Sequence, residues 1–214
     1  MLENIIKIVS RYWLLFLEGT WVTISLSVLT VLFGTILGLI VLLFRKSDVK
    51  PLKFIFGAYV ELIRGIPLLL LLWLIYLTAP KSWPPYLSVV VALIINSGAY
   101  VSEIIRAGIE GIDKGQYEAA RSLGLSKFQT MKKIIFPQAI KKISPALGNE
   151  FVMLIKETSL ASVFFIGDLM TIKNNITSLT YLSLEPYIVI AVIYFGLTFS
   201  VTKLISFAEK RMEA

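Results

Sequence analysis

Residues 16–44 read FLEGTWVTISLSVLTVLFGTILGLIVLLF. A bilayer core takes about 20 apolar residues per helix, so this run is long enough to cross a membrane with tilt, or to leave some of its length on the cytoplasmic side. Working outward, four more stretches have the same character, at about 56–79, 86–110, 145–168 and 186–208. Apolar residues make up 57% of the 214-residue chain and charged residues only 16%. One water-soluble globule cannot hide that much apolar surface, and lipid is the solvent it requires. The expected fold is therefore all-α, with five transmembrane helices. The first run is too long for a signal-peptide core and lacks a small-residue cleavage site, so the N-terminus is expected to be retained.

The formal charge is +7, and its placement decides between nucleic acid and a membrane face. Arg45, Lys46, Lys50 and Lys53 lie between spans one and two. Lys114, Arg121, Lys127, Lys132, Lys133, Lys141 and Lys142 lie between three and four, and Lys203, Lys210 and Arg211 close the chain. The alternate loops hold Lys81 and Lys173. By the positive-inside rule the N-terminus is outside and the C-terminus inside, and no nucleic acid partner is implied. Cysteine and histidine are absent, which removes disulfides, thiol and histidine chemistry, and Cys/His metal sites. Residues 3–16 place Ile5, Ile8, Val9, Tyr12, Trp13 and Phe16 at helical spacing, as either a helix on the outer surface or an extension of span one. Trp83, Pro84, Pro85 and Tyr86 suit an interfacial belt and turn.

Residues 111–143 are long for a connector, yet they carry helix punctuation. Asp113 with Gln116 forms a capping box, and the helix it opens stops at Gly124, which can take a positive φ. Ser126 with Gln129 opens a second helix, expected to end before Pro137. The expected shape is a short helix, a sharp turn and a basic helix. A solvated loop touching lipid headgroups is the alternative.

Glu118-Ala119-Ala120, Gly124, Ile134, Phe136 and Pro137 together resemble the E-A-A loop of binding-protein-dependent ABC importer permeases, with Phe136 where Leu is usual. Arg64-Gly65-Ile66-Pro67-Leu68-Leu69, Ala99 to Ile109, and Lys156-Glu157-Thr158-Ser159-Leu160 resemble the polar amino acid subfamily, which often has Thr and Gln where Ile66 and Leu71 stand. The resemblance implies a single type I ABC importer permease domain over residues 1–214, in the bacterial inner (plasma) membrane. It implies that Lys114, Gln116, Tyr117, Glu118, Ala119, Ala120, Arg121 and Gly124 form the coupling element seated on an ATPase subunit. It further implies a second copy or a paralogous permease, two ATPase subunits and an external substrate-binding protein. No phosphate-cradling G-x-x-x-x-G-K-[ST] run occurs, so ATP and Mg are expected on the partner ATPase, with no cofactor and no enzymatic activity in this chain.

Polar groups within spans are costly and must be paired, face a cavity or have a function. Asn96, Tyr100 and Glu103 share one helix face, with Arg106 extending it. Glu150, Met153 and Glu157 share another, flanked by Asn149 and Lys156. A common cavity between these stripes is expected to take a polar amino acid. Lys156 and the Thr158-Ser159 backbone would receive the carboxylate, and Glu103, Glu150 or Glu157 the ammonium and a cationic side chain. Arginine, lysine or histidine is thus the expected cargo, with glutamine in the same machinery as the alternative and an ion-coupled transporter as the rival from another class. Simple neutralisation of Glu103 by Arg106 is the competing explanation of that pair. Gly65 and Pro67 are expected to kink or hinge span two, and Gly34 and Gly38 to permit close helix contact.

Overall fold

The computed structural model describes residues 1–213, and every regular element there is helical. Helix α1 (Leu2–Arg45) contains the first apolar run and also the N-terminal segment. The two are one helix broken at Tyr12, where φ −117° and ψ 16° leave helical geometry. Of the two expectations for residues 3–16, the helix is the extension of span one. The segment continues span one and departs from its direction.

Span two is two helices, α2 (Lys50–Gly65) and α3 (Leu68–Thr78), meeting at 114°. Ile66 between them is extended, with φ −107° and ψ 147°, because the ring of Pro67 disfavours helical geometry in the residue before it. The expected kink is a full corner. Helix α4 (Pro85–Glu110) starts at the Pro84-Pro85 turn, with proline in the first turn where its missing N–H is harmless.

Helix α4 packs along α1 through small residues. A Cβ on Gly34 would stand 2.7 Å from Ser97 Oγ, one on Gly38 2.7 Å from Val101 Cγ1, and one on Gly98 2.8 Å from Leu37. The contact expected of Gly34 and Gly38 is formed, with α4 as the partner. Tyr59 donates to the Ile95 carbonyl at 2.6 Å and fastens α2 to the same helix. Leu26, Leu72, Val89, Ala92, Leu93 and Phe164 form the largest apolar cluster around α4.

Two expectations need correction after α4. The helix opened at Ser126 does not end before Pro137. Helix α6 (Lys127–Thr130) runs through a π-helical turn, Met131–Ile135, into α7 (Phe136–Glu157). The wide turn accommodates the ring and missing N–H of Pro137, so the chain stays helical where a simple α-helix would stop. Span four was placed at 145–168, yet α7 ends at Glu157. A 3-10 segment, Thr158–Phe164, follows, and Phe165 is left-handed at φ 52°. The α-helix thus breaks at Thr158-Ser159. Both hydroxyls bond backward, Thr158 to the Ile155 carbonyl at 2.7 Å and Ser159 to that of Lys156 at 2.6 Å.

Helix α8 (Leu169–Thr180) was not expected. Asp168 caps it, accepting from Met170 N–H at 3.0 Å and from the Thr171 hydroxyl. It lies against α1 at Gly19, where a Cβ would come 2.8 Å from Ile172. Helix α9 (Leu184–Glu213) contains the last apolar run. Among the described residues three helices, α1, α4 and α9, are long and apolar enough to cross a membrane, and four segments are if the bent α2–α3 pair counts as one span.

Candidate functional site

The polar faces of α4 and α7 face a cluster of charges beside the α2–α3 corner. Glu103 is its hub. Its carboxylate accepts from Arg45 of α1 at 2.9 Å and from Arg106 at 2.6 and 3.1 Å, and Arg106 reaches on to Glu110. The guanidinium of Arg64, at the last turn of α2, stands 3.8 Å from Glu103 and 5.4 Å from the ring centre of Tyr100. The pair expected between Glu103 and Arg106 exists, within a larger network that joins three helices. Arg45 and Arg64 were not among the candidate site residues. Only their sequence distance from Glu103 hid them, since each is a cation at the end of an apolar helix and needs a carboxylate.

On α7, Glu150 is buried, with 8% of its surface exposed, and none of the ion pairs among the described residues involves it. It lies within electrostatic reach of Glu157 and Arg64. One carboxylate oxygen of Glu157 is buried with no hydrogen-bond partner. Asn96 is buried in α4, and Met153 is exposed beside Asn149, whose amide approaches its sulfur at 3.8 Å. Acids that form no ion pair inside a helical bundle make a negative region suited to a cation.

The flanking residues point elsewhere. Lys156 and Ser159 line a cavity of about 300 Å³ with Met170 of α8 and Tyr187, Ile190, Ala191 and Tyr194 of α9. Asn149 lines a cleft against α9 with Gly148, Thr202, Ile205 and Glu209. So Tyr100 and Glu103 gather at Arg64, with Glu150 within its electrostatic reach, whereas Asn149, Lys156 and Ser159 turn toward α8 and α9. The 100° step between successive helical residues produces the division. Lys173, read as a loop charge, is buried, with its ammonium 3.8 Å from the ring centre of Tyr187.

The elbow between α4 and α7 begins with α5 (Lys114–Ser122). Asp113 caps it by accepting from Gly115 N–H at 2.6 Å. The expected reciprocal bond from Gln116 is not the one formed, because its side-chain oxygen accepts from Gln138 of α7 at 3.2 Å. Gly124, at φ +75°, ends the helix with Leu125 N–H on the Ala120 carbonyl and Gly124 N–H on that of Arg121, a Schellman closure. Ser126 and Gln129 then form the expected capping box. Lys142 ties α7 back to the Gly111 carbonyl at 2.6 Å. Ala120 faces inward, while Lys114, Glu118, Ala119, Arg121, Leu123 and Phe128 are exposed. Tyr117, Arg121, Lys127, Thr130 and Met131 enclose a cleft of about 270 Å³. Apolar Leu123 and Phe128 thus stand exposed on an elbow rich in basic residues.

Such an arrangement, with charges inside a helical membrane bundle and a stiff elbow outside it, defines a solute permease subunit driven by a partner. Residues 30–214 match the family described as binding-protein-dependent transport system inner membrane component, and the chain belongs to that family. It is 38% identical over 216 residues, 99% of each chain, to a Rickettsia bellii permease protein named for a glutamine transport system. It is 39% identical over 202 residues, 92% of each chain, to the arginine transport system permease protein of Bacillus subtilis. A solved structure titled as an amino acid ABC transporter with histidines superposes with a TM-score of 0.89 at 46% identity, covering 94% of this chain and 96% of that one. The fold is that of a type I ABC permease, and the chain is a transport subunit whose ATPase is a separate subunit.

Proposed function

We propose that this chain is the membrane-spanning subunit of an ATP-driven importer for polar amino acids, with arginine, lysine or histidine as cargo. The observation that carries the choice is two carboxylates on one face of α7: Glu150, buried and in none of the ion pairs among the described residues, and Glu157, half-buried with one oxygen that has no hydrogen-bond partner. An acid that forms no ion pair gains most from a cation that arrives with the substrate. The relative named for arginine transport supports this choice, and the one named for glutamine transport supports the alternative of a neutral polar cargo.

The whole chain, 1–214, acts as one permease domain in the inner membrane. It crosses five times, N-terminus outside and C-terminus inside, with the α2–α3 pair as one span and α7 with its 3-10 extension as another. Two copies, or one copy and a paralogue, enclose the pathway. An external binding protein delivers the amino acid, and ATP and Mg are held by two ATPase subunits seated on α5 and its flanks. Closure of the ATPases would rock the elbow. Because Lys142 and Gln138 fasten it to α7, that motion passes to the helix bearing Glu150. Gly65 and Pro67, at the corner of span two, give the hinge about which α3 moves.

Proteoliposomes holding the permease, its ATPase and its binding protein test the reading. ATP inside should drive uptake of labelled arginine that excess lysine or histidine suppresses. Glutamine suppressing it equally would contradict a basic cargo. Uptake driven by an ion gradient without the ATPase would contradict the importer itself.

A further inference from the structure

The three guanidiniums around Glu103 are not equivalent. Arg45 and Arg106 take both carboxylate oxygens with bonds of 2.6 to 3.1 Å. Arg64, at 3.8 Å, is beyond hydrogen-bond reach, and its side chain is 40% exposed. It stacks on Tyr100, a candidate substrate contact, and lies within electrostatic reach of Glu150. Arg64 is also the last cation before the Gly65-Ile66-Pro67 corner, and a Cβ on Gly65 would meet nothing within 4 Å.

With Glu103 already satisfied, stacking holds Arg64 more than pairing does. An arginine side chain over the face of Tyr100 presents what a basic cargo would present there, a planar cation. It also lies where it can offset the negative charge of Glu150 while no cargo is bound.

We propose that Arg64 is a specificity-determining residue of the transport site, a resident cation that a basic side chain must displace or repel and that a neutral cargo tolerates. This rests on the reading that amino acids bind among Tyr100, Glu150 and Glu157. The resident cation weakens binding of cationic cargo and leaves neutral polar cargo nearly unaffected, so it sets how far the site discriminates between arginine and glutamine. Loss of its charge frees Glu150 for the ligand and strengthens arginine relative to glutamine.

The test measures arginine and glutamine affinities by calorimetry on the permease–ATPase complex in nanodiscs, without the binding protein, whose own selectivity would mask the site's. Arg64→Gln should raise the ratio of arginine to glutamine affinity by about tenfold, about 1.4 kcal/mol. Arg64→Lys keeps the charge and should hold the ratio within about twofold of the unsubstituted complex. Because the readout is a ratio within one preparation, partial loss of folded protein does not move it. An unchanged or lowered ratio in Arg64→Gln overturns the assignment while leaving amino acid transport standing. Failure of the unsubstituted complex to bind any amino acid overturns the transport-site reading and this assignment together.

Discussion

Replacement of Gly38 by alanine tests the seam on which the site is hung. The new Cβ would stand 2.7 Å from Val101 Cγ1, 2.8 Å from Val101 Cβ and 3.0 Å from the Gly98 carbonyl oxygen. Carbon atoms rest at about 3.5 to 4.0 Å, so roughly 1 Å must be found. Val101 is fully buried, and a β-branched side chain in a helix has little rotamer freedom to give. Helix α4 must therefore back away from α1, carrying Tyr100 and Glu103 with it. Overpacking of this kind costs about 2 kcal/mol, on the order of thirtyfold in the folding equilibrium. The control is Gly57→Ala on α2, where a Cβ meets nothing within 4 Å. There the better helix propensity of alanine should leave stability unchanged or raise it by up to about 1 kcal/mol. SDS unfolding followed by circular dichroism measures both. Equal midpoints for the two variants would refute the close packing of α1 on α4.

Glu103→Gln removes the shared carboxylate of Arg45 and Arg106. Given their partial exposure, the expected loss is about 2 kcal/mol, less than for a fully buried pair. A double-mutant cycle with Arg45→Gln should show coupling, and additive effects would contradict the network. Gly124→Val should destabilise by about 1 to 2 kcal/mol purely through the positive φ, since no atom lies within 4 Å of the new Cβ. It should also lower ATP-driven uptake, and a variant with unchanged melting would contradict the left-handed closure. The chain has no cysteine, so single cysteines report topology without background. Asp48→Cys should be labelled only from the cytoplasmic side and Ser82→Cys only from outside, while Ser122→Cys should lose reactivity when the ATPase is bound. Labelling of positions 48 and 82 from the same side would contradict the five-span arrangement.

The helices containing the long apolar runs could be read directly, since few structures accommodate residues 16–44 outside a bilayer. The capping box at Ser126 and the turn at Gly124 were equally legible, because each depends on residues within one turn of one another. Helix α8 escaped. Its buried Leu169, Ile172 and Ile176 do fall on one helical face, but polar Lys173, Asn174 and Asn175 give the segment the composition of a loop. The passage through Pro137 was misread because local proline rules presume α geometry and a π turn escapes them. In the site, helical spacing placed Glu103 beside Arg106 and Glu150 on one face with Glu157. The split of Lys156 and Ser159 toward α9 was not legible, because it depends on which neighbour each face of α7 meets. The roles of Arg45 and Arg64 were hidden for the same reason. Contacts between residues 58 and 39 positions apart are set by packing alone.

The central claim is that buried acid on α7 recruits the cation of the cargo. Titration of arginine into the permease–ATPase complex with and without Glu150→Gln tests it most directly. Loss of a charged, desolvated partner costs about 2 to 5 kcal/mol, so arginine should bind at least about thirtyfold more weakly while the complex stays assembled. Equal arginine affinity in the two complexes would contradict the account.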